Sequence, residues 1–337
     1  MNKLQVPSMS NIRIDVKIIK ILFRSLIFRL LFIIVIISAG FTLLSPYFLT
    51  VSNIINVLRQ ISYTAIIGIG MTFIILSQNI DISVGSVVGF TSVVGALSMK
   101  IYHVPFQIAL IIALIAATFC GLANGIFVTK LKIPSFIVTL ATMSIVRGIA
   151  FGISGASAIF GLPELSKAVD FFGAGRISII PVPIIIMFML FIIAYLMLSY
   201  TRFGSYAYAI GSNEKATRLV GIKTDNYKIL YFTMTGFLAG VAGFLMMCRM
   251  GVGQANTGLT WEFEVISAVV LGGTSLSGGR GNIWGTLMGA IIVGITRNGL
   301  NILSVDPQFQ QVAIGLILLG AVAIDIATRR TLADRKF

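Results

Sequence analysis

Pro181-Val-Pro-Ile-Ile-Ile-Met-Phe-Met-Leu-Phe-Ile-Ile-Ala-Tyr-Leu-Met-Leu-Ser199 contains no charged residue. A run of that length and character reads as a helix in lipid, because about 20 apolar residues cover about 30 Å of hydrocarbon. Nine other apolar segments accompany it, at 27–45, 56–77, 84–99, 106–128, 135–153, 229–249, 262–273, 283–302 and 308–326. Together they predict an all-α polytopic membrane protein of about ten transmembrane helices. The segment at 262–273 is short and runs into Leu271-Gly-Gly-Thr-Ser-Leu-Ser-Gly-Gly-Arg280. That predicts one short or broken helix near 262–280.

Composition agrees. Of 337 residues, 57% are hydrophobic and 11% charged, where a soluble domain carries about 25% charged residues. Mean hydropathy is +1.00. A soluble enzyme, a disordered chain, a coiled coil and a disulfide scaffold are excluded. The two cysteines, Cys120 and Cys248, lie far apart in apolar stretches, and the single histidine, His103, sits in a short polar break. Neither a cysteine-based metal site nor a bound cofactor is expected. No cleavable signal peptide is expected either, because residues 1–24 are too polar.

The net charge of +14 would ordinarily suggest nucleic acid. Here the basic residues mark topology instead. They gather in the N-terminal segment (Lys3, Arg13, Lys17, Lys20, Arg24, Arg29), in 200–228 (Arg202, Lys215, Arg218, Lys223, Lys228) and at the C-terminus (Arg329, Arg330, Arg335, Lys336). An even number of spans puts all three on one side, which the positive-inside rule makes cytoplasmic. The expected layout is a basic cytoplasmic tail at 1–26, a transmembrane domain at 27–326 and a second basic cytoplasmic tail at 327–337. The expected location is the inner (cytoplasmic) membrane, multi-pass, with anionic lipid headgroups rather than nucleic acid as the charge partner.

An internal repeat is visible. Asn124 and Asn298 lie 174 residues apart, Pro134 and Pro307 lie 173 apart, and Asn56 and Gly70 match Asn226 and Gly240 at 170. The pairs relate span 2 to 7, 4 to 9 and 5 to 10. An odd shift gives the halves opposite orientation, a 5+5 inverted repeat. Glycines four apart recur at Gly85/Gly89, Gly148/Gly152, Gly236/Gly240 and Gly281/Gly285/Gly289, a spacing that lets helix backbones approach closely.

Several charges stand at or inside spans: Asp81, Glu262, Glu264, Arg147 and Arg297. Such groups face a polar cavity or a partner, because a charge at mid-bilayer costs about 2.5–3.5 kcal/mol even on lenient scales. For Asp81, pairing or helix capping stands beside a proton relay as the alternative. Leu276-Ser-Gly-Gly-Arg280 resembles an ATPase signature, but no G-x-x-x-x-G-K-[ST] loop occurs in the chain, so any ATP hydrolysis must come from another polypeptide.

The loop 200–228 is the most specific feature. Asn213 suits an N-cap, Glu214 the positive helix start and Gly221 the C′ position. A helix of about two turns is expected there, shaped as a docking knob.

The chain resembles the sugar-type ABC importer permeases, closest to the ribose permease branch. The resemblance rests on Asn79-Ile-Asp-Ile-Ser-Val-Gly85, Gly211-Ser-Asn-Glu-Lys-Ala-Thr-Arg-Leu-Val-Gly-Ile222, Ala268-Val-Val-Leu-Gly-Gly-Thr-Ser-Leu-Ser-Gly-Gly279 and Asn298-Gly-Leu-Asn301. It covers about residues 40 to 325. It implies a two-fold pair of permease subunits (homodimer or paralogue heterodimer), separate ABC ATPase subunits and a periplasmic or extracellular sugar-binding protein. It also implies an ATPase-coupling role for the loop, with Gly211, Asn213, Glu214, Lys215, Ala216 and Gly221 as its residues. The interval from Ala216 to Gly221 is one residue longer than the common EAA-type pattern, and Lys215 replaces an alanine. No covalent chemistry is expected in the chain. Hydroxyl-rich substrates suit Asn, Ser and Thr, so Asn79, Asp81, Ser83, Asn124, Thr139 and Asn298 are the pathway-lining candidates. The rival readings are an ABC permease for another small solute such as an autoinducer-type furanose, and a secondary sugar transporter.

Overall fold

The structure is a computed structural model that describes residues 25–162 and 166–334. The tail residues 1–24 and 335–337 lie outside the described residues, as does Glu164. All ten apolar segments are helical. They form α1 (Leu26–Leu44), α2 (Val51–Leu76), α3 (Val84–Lys100), α4 (Phe106–Lys130), α5 (Ser135–Ile153), α7 (Val182–Tyr200), α9 (Thr224–Met250), α10 (Trp261–Leu271), α11 (Ile283–Ile302) and α12 (Pro307–Asp334). Two helices stand between them, α6 (Ser166–Gly173) and α8 (Arg202–Leu219). A two-residue antiparallel ladder joins Arg176–Ile177 to Ile180–Pro181.

Among the described residues, seven helices (α1, α2, α4, α5, α7, α9 and α11) are long and apolar enough to cross a membrane. Their burial does not follow their hydropathy. The most apolar window of α1 has a hydropathy of 2.5 and is 6% buried, whereas that of α2 has 1.4 and is 89% buried. In water the greasiest helix hides. Here the strongly apolar α1 faces outward, and the helix bearing Ser62, Tyr63, Thr64 and Thr72 forms the centre. That inversion is what a lipid solvent selects, and the chain is an all-α polytopic membrane protein.

The core is built on α2 and α9. Gly121 of α4 and Gly236 of α9 face each other so closely that a methyl on Gly236 would come within 2.9 Å of the Gly121 Cα. Gly85 and Gly89 of α3 meet the backbone of 255–258, and Gly285 and Gly289 of α11 meet that of α10. Gly148 and Gly152 are different: nothing lies within 4 Å of either position. Their spacing predicted close packing, but within this chain the α5 face they mark is open.

The short helix near 262–280 is α10, whose 11 residues span about 16 Å, half a bilayer. The loop before it, 251–260, folds back into the bundle and buries Ala255 and Thr257.

Candidate functional site

The bundle has two polar ends. One holds α8, the 131–134 turn and the 272–282 loop. Gln78, just past α2, ties them together: its side-chain amide donates to the Gly211 and Ser277 carbonyls, each at 2.8 Å. Gly279 N–H donates to the Leu76 carbonyl at 2.9 Å. Any side chain at Gly211 would strike that same Leu76 carbonyl.

Within α8, Asn213 leaves helical geometry at φ −161° and ψ 96°, splitting the element in two. Its side-chain oxygen accepts from Ala216 N–H at 3.0 Å, the N-cap geometry its sequence position predicts. At the far end Gly221 adopts φ +85° and its N–H donates to the Arg218 carbonyl at 3.1 Å, closing the knob in the left-handed conformation that favours glycine. Glu214 holds the knob against α9. It accepts from Arg218 at 2.9 Å and Lys228 at 2.6 Å, and Arg218 reaches on to Asp225 at 2.7 Å. Burial alone would raise the Glu214 carboxyl, but the hydrogen bonds and charges of Lys228 and Arg218 outweigh it and hold it below the usual carboxylate range. Beyond this clamp the tip is bare: Leu219 is 88% exposed and Val220 76%. Beside it runs a groove of about 890 Å³, lined among others by Asn79, Lys132, Ser135, Glu214 and Lys215.

Three of the pathway-lining candidates, Asp81, Ser83 and Asn124, form one hydrogen-bonded knot with Thr142 beside that end, and Thr139 lies close by. Asp81 accepts from Ser83 N–H (2.8 Å) and Ser83 Oγ (2.6 Å). Asn124 donates to Ser83 Oγ at 2.9 Å and accepts from Thr142 at 2.6 Å. Thr139 donates to the Ser135 carbonyl at 2.9 Å. Asp81 therefore caps the start of α3, and neither arginine reaches it. Asn79 donates to the Ser77 carbonyl at 2.8 Å. Asn298 stands apart, in a reciprocal amide pair with Asn53 at 2.9 and 3.0 Å.

Arg147 and Arg297, each inside a span, serve the opposite end. Arg297 pairs with the buried carboxylate of Glu264. Arg147 donates to two backbone carbonyls of the re-entrant loop, those of Ala255 and, at 2.9 Å, Thr257. Irregular backbone at membrane depth has no water to satisfy it, and Arg147 supplies the missing donors. Ser92 Oγ adds an acceptor for Gln254 N–H at 3.2 Å.

That loop roofs a cavity of about 530 Å³ whose lining includes Gln60, Tyr63, Arg249, Gln254, Thr257 and Trp261. Tyr63 and Trp261 stack at 6.3 Å between centroids, and the Arg249 guanidinium lies 5.8 Å from the centroid of the Tyr63 ring. Sequence reasoning passed over all six. The signal was available in Gly251-Val-Gly-Gln-Ala-Asn-Thr-Gly-Leu-Thr260, ten residues free of aromatics and charge placed directly before a helix too short to span.

Known proteins agree with this architecture. Residues 53–322 match the family described as the branched-chain amino acid transport system permease component. The chain is 40% identical to the ribose import permease of Haemophilus influenzae over 86% of this chain and 90% of that one. It is 42% identical to the ribose import permease of Bacillus subtilis, over 88% and 90%. The D-allose transport system permease of Escherichia coli is 37% identical, over 87% and 90%. No solved structure matches. With four-fifths of its length inside one family's match and relatives aligned nearly end to end, the chain belongs to the branched-chain amino acid transport system permease family, on the branch that holds the ribose and monosaccharide permeases.

Proposed function

We propose that this chain is the membrane subunit of an ATP-binding-cassette importer that moves a ribose-like monosaccharide, received from an external binding protein, into the cytoplasm. Separate subunits hydrolyse ATP, and this chain carries no cofactor. The observation that carries the reading is the knob at 213–221, in a chain about 40% identical to ribose import permeases. A capped, ion-clamped helix that holds a bare Leu219–Val220 tip away from the bundle fits a lock into a cleft of a partner. The ATPase partner would push there, and Gly211, Asn213, Glu214, Lys215, Ala216 and Gly221 would transmit the movement.

The α8 end is then cytoplasmic, as its Lys130, Lys132, Arg202, Lys215, Arg218, Lys223 and Lys228 require under the positive-inside rule. Both termini fall on that side of the inner membrane. The chain has ten membrane-embedded helices, with α10 and its flanking loops crossing as one irregular segment. An inverted repeat is supported by the helix starts. Val51 to Thr224 is an offset of 173, Val84 to Trp261 is 177, Phe106 to Ile283 is 177 and Ser135 to Pro307 is 172. Each member of a pair runs opposite to the other, so α2–α5 and α9–α12 can rock as alternating halves. A second permease subunit completes the pathway.

Proteoliposomes holding the permease, its ATPase and its binding protein are expected to take up ribose only with ATP. The permease alone is expected to move none on a proton gradient. Proton-driven uptake by this chain alone would sink the reading. ATP-driven uptake of D-allose in preference to ribose would leave the class intact and change the sugar.

A further inference from the structure

The groove beside the knob carries positive charge that the fold leaves unanswered. Lys132, Lys215, Arg218 and Lys228 line it, together with Glu214 and Asp225. Both carboxylates are already taken: Glu214 pairs with Arg218 and Lys228, and Asp225 with Arg218. Lys132 and Lys215 are in no ion pair among the described residues. Two lysines, one from the α4–α5 turn and one from the knob, therefore face one cavity without a counter-charge. Helix α5 starts in the wall, at Pro134 and Ser135, with no side-chain cap. The open N–H groups of a helix start add partial positive charge.

Lys132 also holds a costly conformation. Its φ is +55°, in the left-handed region that glycine or asparagine occupies with less strain. The backbone favours another residue there, so the side chain is what explains a lysine.

The surroundings narrow what answers the charge. The turn 131–134 joins α4 and α5, both long and apolar enough to span, so so short a link keeps Lys132 at headgroup level. Val128, Ile133 and Pro134 make part of the lining apolar. Leu131, Phe136 and Ile137, around the same turn, are exposed, and exposed apolar helix faces in this fold meet lipid. A free phosphate gains nothing from such residues. A phospholipid uses both kinds, with its phosphate beside the lysines and its acyl chains along α5. The volume, about 890 Å³, is ample for a headgroup.

We infer that this groove is a site for an anionic phospholipid whose phosphate lies between Lys132 and Lys215. Basic pockets between membrane helices on the cytoplasmic side are where such headgroups bind. The inference rests on placing the α8 end at the cytoplasmic surface. A headgroup held by both lysines ties the knob to the α4–α5 turn, and so steadies the element on which the ATPase partner would push.

The test titrates the full chain in neutral detergent with phosphatidylglycerol and with phosphatidylcholine of the same acyl chains, and follows bound lipid by native mass spectrometry. Binding is read directly, so the result does not depend on whether the chain moves ribose. Phosphatidylglycerol is expected to bind about tenfold more tightly or better. Lys132→Asn removes the charge and suits the left-handed backbone, so folding is not harmed. It is expected to weaken phosphatidylglycerol about fivefold and to leave phosphatidylcholine unchanged. Lys215→Gln is expected to do the same. Lys223→Gln, which removes an exposed cation outside the groove, is expected to change nothing. Unchanged affinity in both groove variants overturns the inference. An equal loss in Lys223→Gln also overturns it, by marking general surface charge. Displacement of the lipid by inorganic phosphate marks a free-anion site, and displacement by the ATPase assigns the groove to that partner; either outcome overturns the lipid site. None of these failures touches the transport reading, which ATP-driven uptake tests separately.

Discussion

The two polar ends of the bundle handle their hydrogen bonds in opposite ways. At the knob end Glu214 has three partners, Asn213 caps its helix and Gln78 bridges two loops. At the other end the Tyr63 and Thr257 hydroxyls are buried with no partner in hydrogen-bonding geometry among the described residues, and the Arg249 guanidinium lies over the Tyr63 ring. The contrast separates two kinds of function. A surface that must push on another protein gains from rigidity, so its polar groups are satisfied within the chain and only apolar atoms are left at the tip. The opposite end spends its polar groups on backbone instead, with Arg147 holding the Ala255 and Thr257 carbonyls of the 251–260 loop. On the proposed reading the first end meets the ATPase partner, and the second holds irregular backbone in place at membrane depth.

That comparison can be broken in several places. The largest effect is expected at the ion pair beneath the cavity. Arg297→Met leaves the Glu264 carboxylate, 5% exposed, without its cation, at a cost of about 3 kcal/mol in apparent stability in detergent. Adding Glu264→Met is expected to restore most of it. If the double variant is no better than the single, the pair is not what Arg297 is for.

Next comes the clamp. Glu214→Lys sets a third positive charge beside Arg218 and Lys228, and is expected to cut ATP-driven uptake by about tenfold or more, since two charge-assisted hydrogen bonds are lost. Gly221→Pro removes the N–H that closes the knob and the left-handed φ, and is expected to act in the same direction. Both proteins should still insert in the membrane. Normal transport with normal ATPase coupling in both would remove the coupling assignment. A smaller loss is expected from Asn213→Ala, worth about 1 kcal/mol of helix capping, and it should appear in coupling rather than in sugar selectivity.

The smallest effect concerns pH. The folded pKa of Glu214 is depressed by Lys228 and Arg218 against the opposing push of burial. The clamp's contribution is therefore complete above the unfolded value, about pH 4.3, and is lost only as pH falls through the lower, folded value. Coupling measured from pH 8 down to pH 5 should show no step due to this group. A midpoint between pH 5 and 7 that disappears in Glu214→Gln would contradict the clamp.

Much of this architecture was legible before any coordinates. The ten apolar segments became ten helices because a bilayer enforces length and apolarity locally, one segment at a time. The Asn213 cap and the Gly221 stop were equally readable, since both depend on a few adjacent residues. The pathway candidates fared differently. Asn79, Asp81, Ser83, Asn124 and Thr139 looked like hydroxyl-binding residues, yet most bond to one another or to nearby backbone, and Asn298 bonds to Asn53. A polar residue in a membrane segment announces that it needs a partner without saying where that partner is. Tyr63 and Trp261 were invisible for the converse reason. In a chain rich in aromatics, nothing in the sequence distinguishes a packing ring from one lining a cavity.

By itself, then, the sequence determined the solvent, the places of the ten apolar helices, the sidedness expected from its basic residues, and the cap and stop of the knob. Each follows from composition or from neighbours within a few turns. Only the tertiary structure decided what the buried charges are for. Arg147 lies 108 residues from the Ala255 carbonyl it satisfies, and Arg297 lies 33 from Glu264. The first partners meet only when the 251–260 loop folds back against α3 and α5 and must find its hydrogen bonds inside the protein, and the second only when the short α10 packs on α11.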